Sequence, residues 1–232
     1  MKLLSNGKTN AKLVKNDRES FIMYLSPHTN NSKGINLCTN ATEECILACL
    51  YDSGYASVYA SVNEARQRRT EFYINSKEEF MIQLAKEINE FILQADGKEI
   101  LFRLNGTSDL DFLAMLKKYA DFDFMKTPDN VFFYDYTKIF GKIVKYGHCS
   151  DKYKQTFSFS GSNTEECLQA LKLGNNVALV YKGTMPKEWN GFEVVDGDVS
   201  DEEMFKYRGK VLGLKLKGNK QKKAKIEKFV VS

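Results

Sequence analysis

Short apolar segments separated by helical stretches dominate the middle of the chain. The apolar segments are residues 99–104, 131–136, 156–160 and 176–181. Parallel strands cannot be joined by a tight hairpin, so connections of this length and helical pattern predict βαβ units. We therefore expect an α/β protein with a parallel sheet and alternating helices, either open or partly rolled into a (β/α) barrel.

The two ends of the chain differ from this alternating centre. We predict an N-terminal strand and loop at residues 1–37, the cysteine motif and βα core at residues 38–182, and a small C-terminal β and basic extension at residues 183–232. The chain has 232 residues, 43% of them apolar, and neither an internal repeat nor a clear linker. These properties predict a single domain.

Helix starts are predicted from residue types that cap helices. Thr42 precedes two acidic residues that suit the positive end of a helix dipole. Ser76 and Glu79 form a capping-box pattern before a run of apolar residues at helical spacing. Ser108 stands before a further apolar helical pattern, and we expect it to cap that helix.

Three of the five cysteines, Cys38, Cys45 and Cys49, are close together in sequence. Thiolates bind zinc or iron–sulfur clusters in proteins. A structural zinc site normally has a second ligand pair, and none is nearby, although a fourth ligand can come from the candidates His28, His148 and Cys149. Three cysteines also suit a [4Fe–4S] cluster with one open iron. The alternative is that Cys45 and Cys49 only face the core.

The cysteine pattern also bears on the compartment. An odd number of unevenly clustered cysteines does not resemble the disulfide framework of a secreted domain. No secretory signal and no run of about 18 apolar residues is found. We therefore expect a cytoplasmic protein without a membrane partner. Cys167 lies on an apolar helical face, and we predict that it packs in the core.

Polar residues follow the predicted strands where parallel α/β sheets form their binding sites. The predicted pocket residues are Arg103, Asn105, Asp109 and Lys138. Arg103 lies in an apolar strand, where an unpaired charge is costly, so it needs a partner such as Asp109 or an anionic ligand. No glycine-rich nucleotide-binding motif is present.

Charged residues outside these strand ends suggest two further features. The segment with Asp196, Asp198 and Asp201 lacks the spacing of an EF-hand, and we expect a solvated acidic turn that pairs with Arg208. Basic side chains predict a weaker nucleic-acid contact. They are Arg66, Arg69, Lys220, Lys222 and Lys223. A solvated sheet edge explains the lysines nearly as well.

The order of these motifs resembles the phage gene product 88 family. The matching segments are Cys38-Thr-Asn-Ala41, Cys45, Cys49-Leu-Tyr51, Ala65-Arg66, Arg103-Leu-Asn105, Ser108-Asp109, Tyr136-Thr137-Lys138 and Asp196-Gly-Asp198 with Asp201. Thr39 and Ser108 replace a proline and a glycine of that pattern, and Leu50 separates Cys49 from Tyr51.

The resemblance implies a protein of an infected bacterial cell, with a reduced partial barrel like that of radical-SAM enzymes. In such a barrel, three cysteines near the start hold a [4Fe–4S] cluster at the mouth. The cysteine spacing and the glycine-rich strand end of those enzymes are absent here. S-adenosylmethionine chemistry is therefore an analogy only.

Three hypotheses about function follow. The first is a phage-type iron–sulfur protein, a redox or radical-type enzyme for an anionic or nucleotide-derived substrate. The second is a nucleic-acid-binding protein with a structural zinc ion or cluster and no catalysis. The third, a zinc-dependent hydrolase, is weaker because such sites usually use histidine and carboxylate ligands.

Overall fold

A ten-stranded sheet organises the described part of the chain. The computed structural model describes residues 1–9, 15–47, 49, 59–149, 151–216, 228 and 230–231. The strands are β1 (Leu4–Asn6), β2 (Glu19–Met23), β3 (Ile100–Arg103), β4 (Val131–Thr137), β5 (Tyr153–Ser158), β6 (Asn176–Tyr181), β7 (Glu188–Trp189), β8 (Phe192–Asp196), β9 (Val211–Lys215) and β10 (Val230–Val231).

The strand order is β1-β2-β3-β4-β5-β6-β9-β8-β7, with β10 paired to β6. All neighbours from β2 to β8 along this path are parallel, while β1 and β7 pair antiparallel at the two ends. Strand β10 pairs with Val180 and Tyr181, beyond the last pairing of β5 at Ala178. The predicted C-terminal β segment thus belongs to the main sheet, and this sheet is open rather than a closed barrel.

Helices connect the parallel strands. They are α1 (Glu43–Leu47), α2 (Ala60–Asn75), α3 (Lys77–Ala95), α4 (Phe112–Ala120), α5 (Phe140–Tyr146), α6 (Thr164–Lys172) and α7 (Glu203–Lys206). Strands β2 to β6 are neighbours in chain order, so right-handed crossovers place their connecting helices on one face of the sheet. The predicted α/β class and the strand–helix alternation are confirmed.

The face under these helices holds an aromatic core. Phe102 of β3 stacks between Phe21 of β2 and Phe133 of β4, with ring centroids 5.5 and 5.4 Å away. Phe80 and Leu84 of α3 pack into the same cluster and are fully buried. Burying a side chain of this size contributes about 1.5–3 kcal/mol, so this cluster fixes the helices on the sheet.

The opposite face of the sheet is covered by a shorter segment. Met204 of α7 packs against Ile22, Leu101 and Tyr134, whose side chains point away from the helical face because strand residues alternate. The Asn176 side chain donates hydrogen bonds of 2.9 Å to the carbonyls of Met204 and Tyr207. Residues near α7 therefore close this face at its middle and leave space at the carboxyl ends of the strands.

The helix starts agree with the sequence in part. The backbone N–H of Cys45 donates to the Thr42 hydroxyl at 3.2 Å, which confirms Thr42 as the cap of α1. Ser76 stands at the cap position of α3, but its side chain makes no capping hydrogen bond. The prediction for Ser108 is wrong, because Asp111 caps α4 by accepting from the N–H of Ala114. No described helix is long and apolar enough to cross a membrane.

Candidate functional site

A cavity of about 270 Å³ lies at the carboxyl ends of the parallel strands. We call it the strand-end pocket. Residues that follow β3, β4, β5 and β9 line it, together with the segment that carries the clustered cysteines. All of the predicted pocket residues, Arg103, Asn105, Asp109 and Lys138, are among its lining residues. This is the edge at which parallel α/β sheets bind ligands.

Cys38, Cys45 and Cys49 all line the strand-end pocket. The Cys38 thiol donates to the carbonyl of Thr107 at 3.6 Å, which fixes it beside the loop after β3. The pKa of Cys38 is raised to about 11, mainly by burial and also by the neighbouring Cys49, Asp109 and Cys45 side chains, while a backbone hydrogen bond from His28 opposes the rise. Cys38 therefore shares one pocket with both other cysteines.

The three cysteines surround the pocket without meeting at one point. Cys45 packs against Leu216, as do Val180 and Val230. Among the described residues, no three His, Cys, Asp or Glu side chains are close enough together to hold a metal ion. His28 lines the pocket as well, whereas the side chain of Cys149 lies outside the described part of the structure.

Arg103 enters the pocket from the end of β3 and forms an ion pair with Asp201. Its Nη1 lies 3.2 Å from Oδ2 of Asp201, an oxygen that also accepts from the Tyr134 hydroxyl at 3.0 Å. The guanidinium lies over the Tyr136 ring, 4.8 Å from the centroid. Burial would lower the pKa of Arg103, but the charge of Asp201 outweighs it, and the net pKa is raised.

The Arg103 side chain keeps unused hydrogen-bonding capacity. Its Nε is buried and has no hydrogen-bond partner among the described residues. A buried donor without an acceptor costs about 1–3 kcal/mol, so an acceptor from a ligand would be favourable there. Arg103 is thus the described pocket residue best suited to bind a negatively charged or carbonyl oxygen.

Asp109 has a different partner from the one expected. Its carboxylate accepts from Lys142 Nζ at 2.9 Å, from the Thr137 hydroxyl at 2.8 Å and from the backbone N–H of Lys138 at 2.7 Å. The suggestion that Asp109 pairs with Arg103 is therefore wrong. Asp109 holds the loop after β3 against the start of α5.

Asn105 also organises the loop after β3. Its Nδ2 donates to Asp135 Oδ2 at 3.0 Å, and its Oδ1 accepts from the Ser108 hydroxyl and from the N–H of Leu110. Burial is the main cause that raises the pKa of Asp135, and Lys142 and Asn105 oppose it. Asn105 therefore shapes the pocket wall, since its amide is already bonded within the protein.

A family model matches almost the whole chain. The model described as "Gene product 88" matches residues 2–229. The chain belongs to the Gene product 88 family. No curated protein and no solved structure matches the chain. The Gene product 88 match includes all three clustered cysteines, Arg103 and Asp201.

Asp201 is a residue of the site that was not predicted as one from the sequence. The acidic turn was expected to be solvated, but the Asp201 side chain is only 1% exposed and faces Arg103. Arg208, the expected partner of the acidic turn, instead pairs with Asp151 at 2.8 Å. The available signal was Arg103 itself, because a charge in an apolar strand requires a buried counter-charge.

Two of the predicted basic residues, Arg66 and Arg69, lie in the described part of the chain. Arg66 is buried, with its guanidinium 4.7 Å from the centroid of the Tyr24 ring. Arg69 donates from Nε to the carbonyl of Lys2 at 2.9 Å. The remaining candidates lie outside the described residues: Lys220, Lys222 and Lys223. Both described arginines thus make contacts within the protein.

Proposed function

We propose that this Gene product 88 protein holds a [4Fe–4S] cluster through Cys38, Cys45 and Cys49 and binds an anionic small molecule beside it. The observation that carries the proposal is the convergence of three cysteines and Arg103 on one strand-end pocket. Local sequence brings the cysteines together, whereas Arg103 arrives from a distant strand. Their meeting at the ligand-binding edge of the sheet favours a site over core packing.

The chemistry of the donor set fits such a cluster. Cysteine thiolates are the usual ligands of iron–sulfur clusters, and three of them line this largely apolar pocket. A single zinc ion needs ligands about 2.0–2.3 Å from one centre, and the described side chains do not gather so tightly.

The protein residues would bind and orient the second molecule. When bound, a cluster with three protein ligands supplies electrons and an iron with an open position. Asp201 and Tyr136 hold the Arg103 guanidinium in place, and its unused Nε offers a donor to an anionic group. Lys138 and Lys215 add positive charge at the rim, partly balanced by Asp198.

The finer fold interpretation belongs to the same proposal. The order of β2 to β6, each beside the next in the chain, is the order that a partial (β/α) barrel has. A resemblance of fold would not by itself assign the radical chemistry of any enzyme class. The alternative, nucleic-acid binding with a structural zinc ion, has less support because Arg66 is buried and Arg69 is already bonded to the Lys2 carbonyl.

Anaerobic purification of the full chain with metal and sulfide analysis tests the proposal. We expect a brown protein with about four iron and four sulfide per chain, and Cys45→Ala or Cys38→Ala should lose most of both. The matched control is Cys167→Ala, since Cys167 is buried in the core away from the pocket. A colourless protein with stoichiometric zinc, or full iron content in Cys45→Ala, would overturn the assignment.

A further inference from the structure

A second, polar depression of about 370 Å³ adjoins the strand-end pocket. We call it the α6 pocket. On one side it is lined by residues 39–42 of the cysteine loop, and on the other by residues around the start of α6. Ala41 and Lys138 line both pockets. A molecule that occupies one pocket can therefore extend into the other.

The N-terminus of α6 opens into this depression without a side-chain cap. Asn163 stands at the cap position but makes no capping hydrogen bond. Its side chain turns back, accepts from the N–H of Ser160 at 2.8 Å and donates to the carbonyl of Ser158 at 3.0 Å. The first N–H groups of this nine-residue helix thus lack the usual side-chain acceptor, and the helix dipole favours an anion there.

Ser160 provides a second and independent indication of a ligand. The residue is only 7% exposed, and it lines the α6 pocket. Its backbone N–H and carbonyl are bonded to Asn163 and Thr42, but its hydroxyl has no hydrogen-bond partner among the described residues. Because Ser160 lines the pocket and its unbonded hydroxyl is not fully enclosed by protein, this hydroxyl is suited to donate to a ligand oxygen.

The charges around the depression indicate which ligand fits. Lys138 contributes a cation, and Glu166 in the first turn of α6 contributes an anion, while the other lining side chains are neutral. Glu166 is exposed, so its carboxylate can remain in water when an anion binds. Lys138, the uncapped helix start and the Ser160 hydroxyl are all donors, and together they match a phosphate group.

We propose that the α6 pocket binds the phosphate group of a small-molecule phosphate ester whose remaining part lies in the strand-end pocket. Gly161, with φ of 92°, allows the chain to turn between β5 and α6 so that Ser160 and the helix start face the same space. Only the placement of the remaining part rests on the proposed function. Phosphate binding at α6 stands without it.

Titration of the full chain with inorganic phosphate, followed by calorimetry and phosphorus NMR, tests this site. Ser160→Ala and Lys138→Gln should each weaken binding about tenfold, because each removes one donor to a dianion. Glu166→Gln should strengthen binding about threefold, because it removes a like charge from the pocket wall. The sign of this last change separates a phosphate from a sugar diol or a cation, for which loss of the carboxylate weakens binding.

Matched controls come from the same helix. Lys172→Gln removes a cation from the last turn of α6, and Glu165→Gln removes an exposed first-turn carboxylate that does not line the pocket. Both should change the affinity less than twofold. Equal affinities in all variants, or weaker binding in Glu166→Gln, would overturn the proposal. The two charge variants decide the question even if Ser160→Ala does not fold.

Iron analysis of the same samples separates this inference from the proposed function. Phosphate binding with the expected pattern in a protein that takes up no iron would leave the α6 site standing and remove the cluster. An iron-loaded protein that does not bind phosphate would leave the cluster standing and remove the α6 site.

Discussion

Among the residues that the structure describes, two buried ion pairs lie at the carboxyl edge of the sheet, and they differ in how completely their polar atoms are bonded. Lys142 and Asp109 are 2.9 Å apart, with side chains 5% and 11% exposed. Arg103 and Asp201 are 3.2 Å apart, with side chains 13% and 1% exposed. Their distances and burial are similar, but only the second pair includes a buried donor without a partner.

The difference in bonding separates a structural role from a ligand-binding role. Asp109 accepts three hydrogen bonds, and Lys142 also donates to the carbonyl of Leu110 at 3.1 Å, so the first pair joins the loop after β3 to α5. Arg103 lines the pocket, makes one ion pair and has a buried Nε without a hydrogen-bond partner among the described residues. Removing one partner of a fully bonded buried pair leaves an uncompensated charge and destabilises the fold, whereas a pair with a spare donor can also bind a ligand.

The largest effect is expected from breaking the fully bonded pair. Lys142→Met leaves the Asp109 carboxylate buried without its cation, and we expect the free energy of unfolding to fall by about 4 kcal/mol. Chemical denaturation at neutral pH measures this change.

The double variant tests why the pair stabilises the fold. Lys142→Met with Asp109→Asn should stay about 2 kcal/mol below the parent, because the amide cannot replace both acceptor oxygens for Thr137 and Lys138. The control Lys145→Met removes the cation of a half-exposed pair on the same helix and should cost far less. A loss under about 1 kcal/mol in Lys142→Met would contradict the structural role.

A smaller loss of stability is expected at the second pair. Arg103→Met leaves Asp201 without its cation but still bonded to the Tyr134 hydroxyl, so we expect a loss of about 3 kcal/mol. Adding Asp201→Asn removes the buried charge and keeps an acceptor for Tyr134. This double variant should recover to within about 1 kcal/mol of the parent, unlike the double variant of the first pair.

The recovered double variant also isolates the role of Arg103 in binding. It should be folded and stable yet bind an anionic ligand of the strand-end pocket at least about tenfold more weakly, because the charged donor is gone. Fluorescence or calorimetric titration of the two proteins measures the ratio. Unchanged affinity in the stable double variant would mean that Arg103 has only a structural role, like Lys142.

Local pattern was enough to predict most of the central strands, although the strand expected at 156–160 forms at Tyr153–Ser158. Residues 176–181 form β6 as predicted, and the segments at 99–104 and 131–136 match β3 and β4 within about one residue at each end. The pocket residues were predictable because parallel strands bring their carboxyl ends to one edge. These features depend on alternation and chain direction, which the sequence displays locally.

Pairings between distant residues were not predictable in the same way. Arg103 needs a counter-charge, but the sequence offers several aspartates, and only the packing of the α7 segment over β3 and β4 selects Asp201. The prediction that Ser108 caps α4 was wrong for a related reason. Ser108 has a suitable residue type, but its hydroxyl bonds to Asn105, and the helix begins after Asp111. The α6 pocket was not predictable from the sequence because two loops that are distant in sequence form its walls.

The smallest effect is expected at the half-exposed ion pair between Asp111, which precedes α4, and Lys145 of α5. Asp111→Ala removes the α4 cap, and the free energy of unfolding should fall by about 1 kcal/mol at neutral pH. Burial would raise the pKa of Asp111, but hydrogen bonds from Lys145, Tyr146 and the N–H of Ala114 outweigh it, and the net pKa lies below its ordinary value of 3.8.

A carboxylate with a lowered pKa stabilises the fold above its unfolded-state pKa and loses that contribution as the pH falls through its folded-state pKa. The difference between the parent and Asp111→Ala should therefore shrink when the pH is lowered below 3.8. Thermal unfolding across this pH range measures the trend, with Asp129→Ala, at a fully exposed carboxylate, as the control. A difference that stays constant at low pH would mean that the Asp111 side chain acts through packing rather than through its charge. The expected decrease in stabilisation from the buried to the half-exposed ion pairs would then not apply to Asp111.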